Sequence, residues 1–168
     1  MVEQRTKKTV LLMADDDEDD CLLMREAVHE VLRSDGFHCV RDGQELMDYL
    51  FRRGIYTDTK TFPLPDLILL DLNMPVKDGL QALEEIKEHP LFKAMPILIY
   101  STSKDQEEIE LCYKLGANSY ITKPMSFEHL VKVVRCLNDY WFGIVGLPLS
   151  ERLCACHACE DGQPAKCT

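Results

Sequence analysis

Short, wholly apolar runs recur along this chain, and polar residues close each of them without transition. Leu67-Ile68-Leu69-Leu70 is the plainest and stops at Asp71; Val10-Leu11-Leu12-Met13-Ala14 stops at Asp15, and Ile97-Leu98-Ile99-Tyr100 at Ser101. Runs this short and without polar alternation fit strands covered on both faces, because a half-exposed strand would alternate with period two. Phe37-His38-Cys39-Val40 and Ser119-Tyr120-Ile121-Thr122 complete a set of five strands. After each strand, apolar residues recur at helical spacing: Met24, Ala27, Val28 and Val31; Leu46, Met47, Leu50 and Phe51; Leu80, Leu83 and Ile86; Ile109, Cys112 and Leu115; and Leu130, Val133, Val134, Leu137 and Trp141. Five strands alternating with five helices predict an α/β fold, a doubly wound five-stranded parallel sheet with right-handed crossovers.

Local signals place the boundaries. Asp15 to Asp20 form an acidic helix start, favoured by the helix dipole, and Asp17, Glu18, Asp19 and Asp20 read as its solvated first turn. Asp42 with Glu45 three residues on has the spacing of a capping box, and Ser126 can cap the last helix. Ser34-Asp35-Gly36 and Pro90 end the first and third helices, and Gly116 stands where a C′ glycine belongs after the fourth. Gly54 to Pro65 is polar and aperiodic and reads as a loop. The expected organisation is a lead over 1–8, one domain over 9–142 and an extension over 143–168 that is rich in Cys.

Charge narrows the partners. The net charge of −10 opposes the counterion release that drives nucleic-acid binding, so DNA and RNA are not expected. The longest apolar runs fall far below the roughly 18 residues of a membrane span, and no membrane association is expected. The N-terminal residues lack the apolar core of a secretory signal, so a cytoplasmic location is the expectation. In that compartment Cys21, Cys39, Cys112 and Cys136 read as reduced, small core hydrophobes.

In a sheet of this kind ligands bind beyond the carboxyl ends of the strands. Strand one delivers Asp15 and Asp16 there, strand three Asp71, strand four Ser101 and strand five Lys123. Three carboxylates with backbone oxygens make a hard-oxygen site suited to Mg²⁺, and a carboxylate held against such a cation can act as a nucleophile towards phosphorus. Lys123 and the Ser101 hydroxyl would contact phosphoryl oxygens. Taken singly, Asp71 could be a turn residue, Ser101 a strand end and Lys123 a surface lysine; at successive strand ends the set is far more specific.

This ordered set resembles the receiver domain of two-component response regulators. The matching residues are Asp15-Asp16, Leu69-Leu70-Asp71-Leu72-Asn73-Met74-Pro75 with Asp78-Gly79, Ser101, Tyr120 and Lys123-Pro124. The resemblance implies the flavodoxin-like strand order 2-1-3-4-5 and a phosphoacceptor at Asp71. It implies Mg²⁺ or Mn²⁺ held by Asp16, Asp71 and the backbone oxygen of Asn73, with Asp15 acting through water. Lys123, Ser101 and Thr102 would bind the phosphoryl group, Ser101 and Tyr120 would form the switch pair, and Lys123-Pro124 would be a cis peptide. Met125 departs from the Phe often found after Lys-Pro, a place Phe127 can take. The long loop before Pro65-Asp66, Ser101-Thr102-Ser103, Ala117-Asn118-Ser119-Tyr120-Ile121 and the exit Tyr140-Trp141-Phe142 resemble more narrowly the single-domain regulators that partner bacterial phytochromes. The implied partner is a histidine kinase or a phosphotransfer protein.

The residues after Trp141, about two dozen, are too few for an output domain, so the output is expected at the receiver surface itself. The apolar exit from Trp141 to Val145 is either a partner surface or a segment folded back on its own domain. By resemblance the chain dimerises through helix four, strand five, helix five and this exit, with Glu107, Glu108 and Glu110 set against Lys132 and Arg135. Cys154, Cys156, His157, Cys159 and Cys167 hold soft ligands at zinc-like spacing, and read either as an unstructured tail or as metal or redox ligands. Two rival functions stand beside the phosphoacceptor, which would not itself be an enzyme. A phosphohydrolase would want a second carboxylate where Asn73 stands. A phosphate-independent interaction module would be expected to have lost Asp71 or Lys123, and both are present.

Overall fold

A computed structural model describes residues 9–148. Five strands, β1 (Leu11–Ala14), β2 (Phe37–Val40), β3 (Leu67–Leu70), β4 (Ile97–Ser101) and β5 (Ser119–Thr122), form one parallel sheet in the order β2-β1-β3-β4-β5. Between and after them run α1 (Glu18–Leu32), α2 (Gly43–Leu50), α3 (Gly79–Glu88), α4 (Gln106–Lys114) and α5 (Phe127–Leu137). The doubly wound expectation holds in full. No helix among the described residues is long and apolar enough to cross a membrane.

Strand geometry explains the two cores. Successive side chains point to opposite faces, so Leu12, Ala14, Ile68, Leu70, Ile97 and Ile99 pack with Leu46, Leu50, Leu83, Ile86 and Cys112 on one side. Leu11, Met13, Leu67, Leu69, Leu98 and Tyr100 pack with Met24, Ala27, Val28, Leu130 and Val134 on the other. Every residue of β1, β3 and β4 is buried, as the unalternated runs require. β2 and β5 lie at the edges, which accounts for their weaker apolar patterns.

Two local expectations are revised. Asp42 Oδ1 accepts from Glu45 N at 2.8 Å, but Glu45 Oε2 accepts from Arg41 N at 2.6 Å rather than from Asp42, so the box is only half formed. A complete capping box stands instead at Asp78 and Gln81, ahead of α3. The segment 54–65 is anchored rather than loose: it opens with a 3₁₀ turn, Gly54–Thr57, and Tyr56 is buried. Tyr49 Oη donates to Pro63 O at 2.8 Å, Tyr56 Oη to Glu45 Oε1 at 2.6 Å, and the buried Arg52 donates to Phe62 O. Aromatic contacts among Tyr49, Tyr56 and Phe62 complete that anchor.

Cys21 and Cys39 are not separate reduced thiols but a disulfide, with Cα atoms 6.2 Å apart. The α1 crossover brings the first turn of the helix over β2 at a spacing a disulfide can bridge, which single-residue burial arguments cannot foresee. Cys112 and Cys136 are free as expected, but only Cys112 is buried; Cys136 is exposed on α5 rather than part of a core.

Beyond α5 the chain continues as a π-helical segment, Asn138–Ile144. Trp141 and Phe142 fold back against the cluster on the α1 and α5 side, whereas Tyr140 and Ile144 stay exposed. The exit thus divides between the two readings of it. The cysteine-rich group at 154–167 lies outside the described residues.

Candidate functional site

The sheet brings Asp15, Asp71, Ser101 and Lys123 together at its carboxyl edge, each on or directly after a different strand. Asp15, Asp71 and Ser101 are buried. Carboxylate oxygens of Asp15, Asp16 and Asp71 lie within 4.8 Å of one another, with Asp16 reaching the site from solvent. Three hard oxygen donors at this spacing fit a divalent cation that keeps part of its water shell.

Lys123 lies among these acids. Its Nζ is 2.7 Å from Asp15 Oδ2, 2.7 Å from Asp20 Oδ2 and 3.3 Å from Asp71 Oδ2. It also lies 5.6 Å from the centroid of the Tyr100 ring. Backbone groups fix the acids: Asp71 Oδ1 accepts from Leu72 N at 2.8 Å, and Asp15 Oδ1 from Asp17 N at 3.0 Å.

Burial dominates the electrostatics. It pushes the Asp15 carboxyl up to about 6, against the opposing effects of Lys123 and the Asp17 N–H. Asp71 is raised for the same reason, with Lys123 and the backbone N–H groups of Leu72 and Asn73 working against the shift. Burial also weighs against the Lys123 cation, but Asp15, Asp20 and Asp71 outweigh it and hold the ammonium above its ordinary range.

The motif around Asp71 has a steric explanation. A Cβ on Gly79 would stand 2.1 Å from Asp71 O, and Gly79 N donates to Leu72 O at 2.9 Å. The start of α3 therefore packs directly on the backbone of the acidic residue, and only glycine fits there.

The remaining expected residues are placed as follows. Ser101 Oγ accepts from Ser103 N at 3.2 Å, and Ser101 O accepts from Lys123 N at 2.8 Å. Thr102 and Asn73 are exposed beside the site. Tyr120 is half-buried, with its hydroxyl 3.1 Å from Ser103 O and 3.1 Å from Glu108 Oε1. Lys123-Pro124 is trans, contrary to expectation: there is no cis bond among the described residues. The X–Pro amide carries only a small isomer preference that neighbouring sequence does not decide, and in the trans form Lys123 still reaches all three acids.

Asp20 is the residue that sequence reasoning missed, having been read as solvated helix start. No local signal marks it: Asp20 sits in the first turn of α1, and its approach to Lys123 depends on how that helix lies beside the end of β5.

Residues 11–135 match the response regulator receiver domain family. The response regulator Rcp1 of Synechocystis sp. is 37% identical over 125 residues, covering 72% of this chain and 83% of that protein. Among solved structures, the phosphorylated cyanobacterial phytochrome response regulator RcpA matches with a TM-score of 0.77 and 36% identity, over 84% of this chain and 99% of that one. The Mn²⁺-bound form of Rcp1 matches with a TM-score of 0.71 and 35% identity, over 83% and 99% respectively.

Proposed function

Because this chain belongs to the response regulator receiver domain family and is related to phytochrome response regulators, we propose that it is a phosphoacceptor whose Asp71 takes a phosphoryl group from a histidine kinase or phosphotransfer protein. The observation that carries this reading is the buried Asp71 carboxylate, grouped with those of Asp15 and Asp16 and 3.3 Å from the Lys123 ammonium.

Asp16, Asp71 and the backbone oxygen of Asn73 would hold Mg²⁺ or Mn²⁺, with Asp15 acting through water. The cation, when bound, offsets charge on the carboxylate and on the phosphoryl oxygens. That a relative was solved with Mn²⁺ and another in phosphorylated form supports this assignment. An Asp71 carboxylate oxygen forms the new bond to phosphorus as the bond from phosphorus to the donor imidazole nitrogen breaks, and the imidazole takes up a proton. Lys123 pairs with the added charge, Ser101 Oγ and Thr102 contact the phosphoryl oxygens, and burial keeps bulk water from the acyl phosphate. Slow loss of the phosphoryl group to water is the only intrinsic chemistry, so the chain is not an enzyme in the usual sense.

Ser101 and Tyr120 act as the switch pair, carrying the change in charge to α4 and β5. The output is protein contact, with a homodimer through α4, β5, α5 and the exit segment. Exposed Leu111, Tyr113, Tyr140 and Ile144 on those elements support that surface. A cytoplasmic location accompanies the kinase partner.

The test is an intact-protein mass spectrum after incubation with acetyl phosphate and Mg²⁺, beside Asp71→Asn. One Mg²⁺-dependent phosphoryl adduct, absent from the variant, is expected; no adduct on the unmodified chain overturns the reading.

A further inference from the structure

Lys123 has three N–H donors, and they face three carboxylates. The two shorter contacts go to Asp15 and Asp20, and the longest goes to Asp71, the residue assigned above as phosphoacceptor. The Asp15 side chain is fully buried, whereas that of Asp20 is 33% exposed. If the ammonium turns towards new anionic oxygens on Asp71, Asp20 is therefore the partner that water can resolvate, and Asp15 is not.

The Asp20 carboxylate cannot easily follow the lysine. Its backbone is fixed by the cap of α1, where Asp17 Oδ1 accepts from Asp19 N at 2.9 Å and from Asp20 N at 3.3 Å. The next residue, Cys21, is tied to β2 through Cys39.

Resting on the phosphoacceptor reading, we propose that Asp20 is a positioning residue that holds the Lys123 ammonium towards α1 in the unphosphorylated protein. By doing so it sets the balance between divalent-cation binding and phosphoryl retention. Its effects on the two have opposite signs. While Asp20 holds Lys123, the Asp71 carboxylate is less fully neutralised by the lysine, and Asp20 adds its own charge, so a cation binds more tightly. A phosphoryl anion on Asp71 must compete for the same ammonium and also meets that added negative charge, so it is held more weakly.

Asp20→Asn and Asp20→Glu test this in the full chain. Calorimetric titration with Mg²⁺ alone measures the first effect. Titration with beryllofluoride at saturating Mg²⁺ measures the second, as does the decay of the acetyl phosphate-derived adduct. A shift of about threefold to tenfold is expected for Asp20→Asn, the scale of one charge in a partly exposed ion pair. Mg²⁺ should bind more weakly, beryllofluoride more tightly, and the adduct should last longer, while Asp20→Glu restores all three towards the original values. A merely structural role would shift both affinities the same way, so a parallel shift, or none, overturns the proposal. An unmodified chain that takes a phosphoryl group while Asp20→Asn behaves identically refutes the role of Asp20 alone. An unmodified chain that takes neither ligand refutes the phosphoacceptor reading and this inference with it.

Discussion

Lys123 Nζ stands 2.7 Å from Asp15 Oδ2, a buried ion pair that joins residues 108 positions apart and ties the end of β5 to the end of β1. Removing one side of such a pair leaves an uncompensated charge in the interior, which costs about 3–5 kcal/mol. Lys123→Met should therefore lower the urea midpoint sharply at pH 7.5. The deficit should shrink at pH 5, where Asp15, raised to about 6 even with its partner present, takes up a proton. An equal deficit at both pH values would show that lost packing, not charge, is responsible.

The stability of the metal-free protein should respond to pH through Asp15 itself. Its pKa rises from 3.8 unfolded to about 6 folded, so the folded state binds its proton more tightly. The contribution is fully present below about pH 4 and is lost as pH rises through 6, amounting to about 3 kcal/mol at most. Asp71, raised in the same direction, adds to the trend. Asp15→Asn should flatten the dependence between pH 4 and pH 7 and, because Lys123 keeps Asp20 and Asp71 as partners and is not left uncompensated, be at least as stable as the unmodified chain at pH 7.5. Denaturant melts across that range check both points; a steeper fall in the variant would contradict them.

The sequence made the sheet and most of this site legible because the same physics governs both. Strands buried on two faces must be wholly apolar, so β1, β3 and β4 announced themselves, and the polar residue ending each run marked the carboxyl edge. Asp15, Asp71, Ser101 and Lys123 followed from topology. What stayed hidden depends on how one element lies over another. The reach of Lys123 to Asp20, the meeting of Cys21 with Cys39 and the anchoring of 54–65 by Tyr49 Oη are tertiary facts without local signatures. The isomer of Lys123-Pro124 was equally beyond reach, since local preference scarcely decides it.

The Cys21–Cys39 disulfide closes a loop with a sequence separation of 18. Chain-entropy arguments assign a loop of that size about 3 kcal/mol of stabilisation. Cys21→Ser should accordingly lower the urea midpoint relative to the oxidised protein, and a phosphine reductant should lower the unmodified chain to a similar level. Alkylation of denatured, unreduced protein followed by peptide mass analysis should find Cys21 and Cys39 unmodified and Cys112 and Cys136 labelled. Labelling of all four would remove the basis for the expected loss.

Val76 occupies the left-handed region at φ 64°, in a three-residue turn closed by Lys77 N donating to Pro75 O at 2.7 Å. A β-branched side chain is poorly suited to that backbone, which costs roughly 1–2 kcal/mol for an ordinary L-residue. The side chain is 83% exposed, so little packing offsets the cost. Val76→Gly should raise stability by about 1 kcal/mol, the entropy of the freer unfolded chain cancelling part of the gain. Val76→Asn should gain a similar amount, because asparagine tolerates this region. Thermal melts of both variants decide the matter, and a loss in both would mean that Val76 makes contacts of its own.

Gly79 links the fold most directly to the proposed chemistry. Its α-carbon faces the Asp71 carbonyl so closely that an added Cβ would lie 2.1 Å from that oxygen and 2.7 Å from Leu72 Cα. These obstacles are backbone atoms, so no side-chain rotation relieves the overlap, and either α3 or the 71–72 backbone must move. In Gly79→Ala the displaced segment carries the Asp71 carboxylate away from Asp15, Asp16 and Lys123, whose own positions are fixed by β1, α1 and β5. Phosphoryl uptake from acetyl phosphate should fall by about tenfold or more, as expected when a reacting group is misplaced by an ångström. Circular dichroism should still show a folded α/β protein, since the two cores do not include this position. Unchanged uptake in a folded Gly79→Ala would mean that α3 absorbs the displacement and that the glycine is not what holds Asp71 in place.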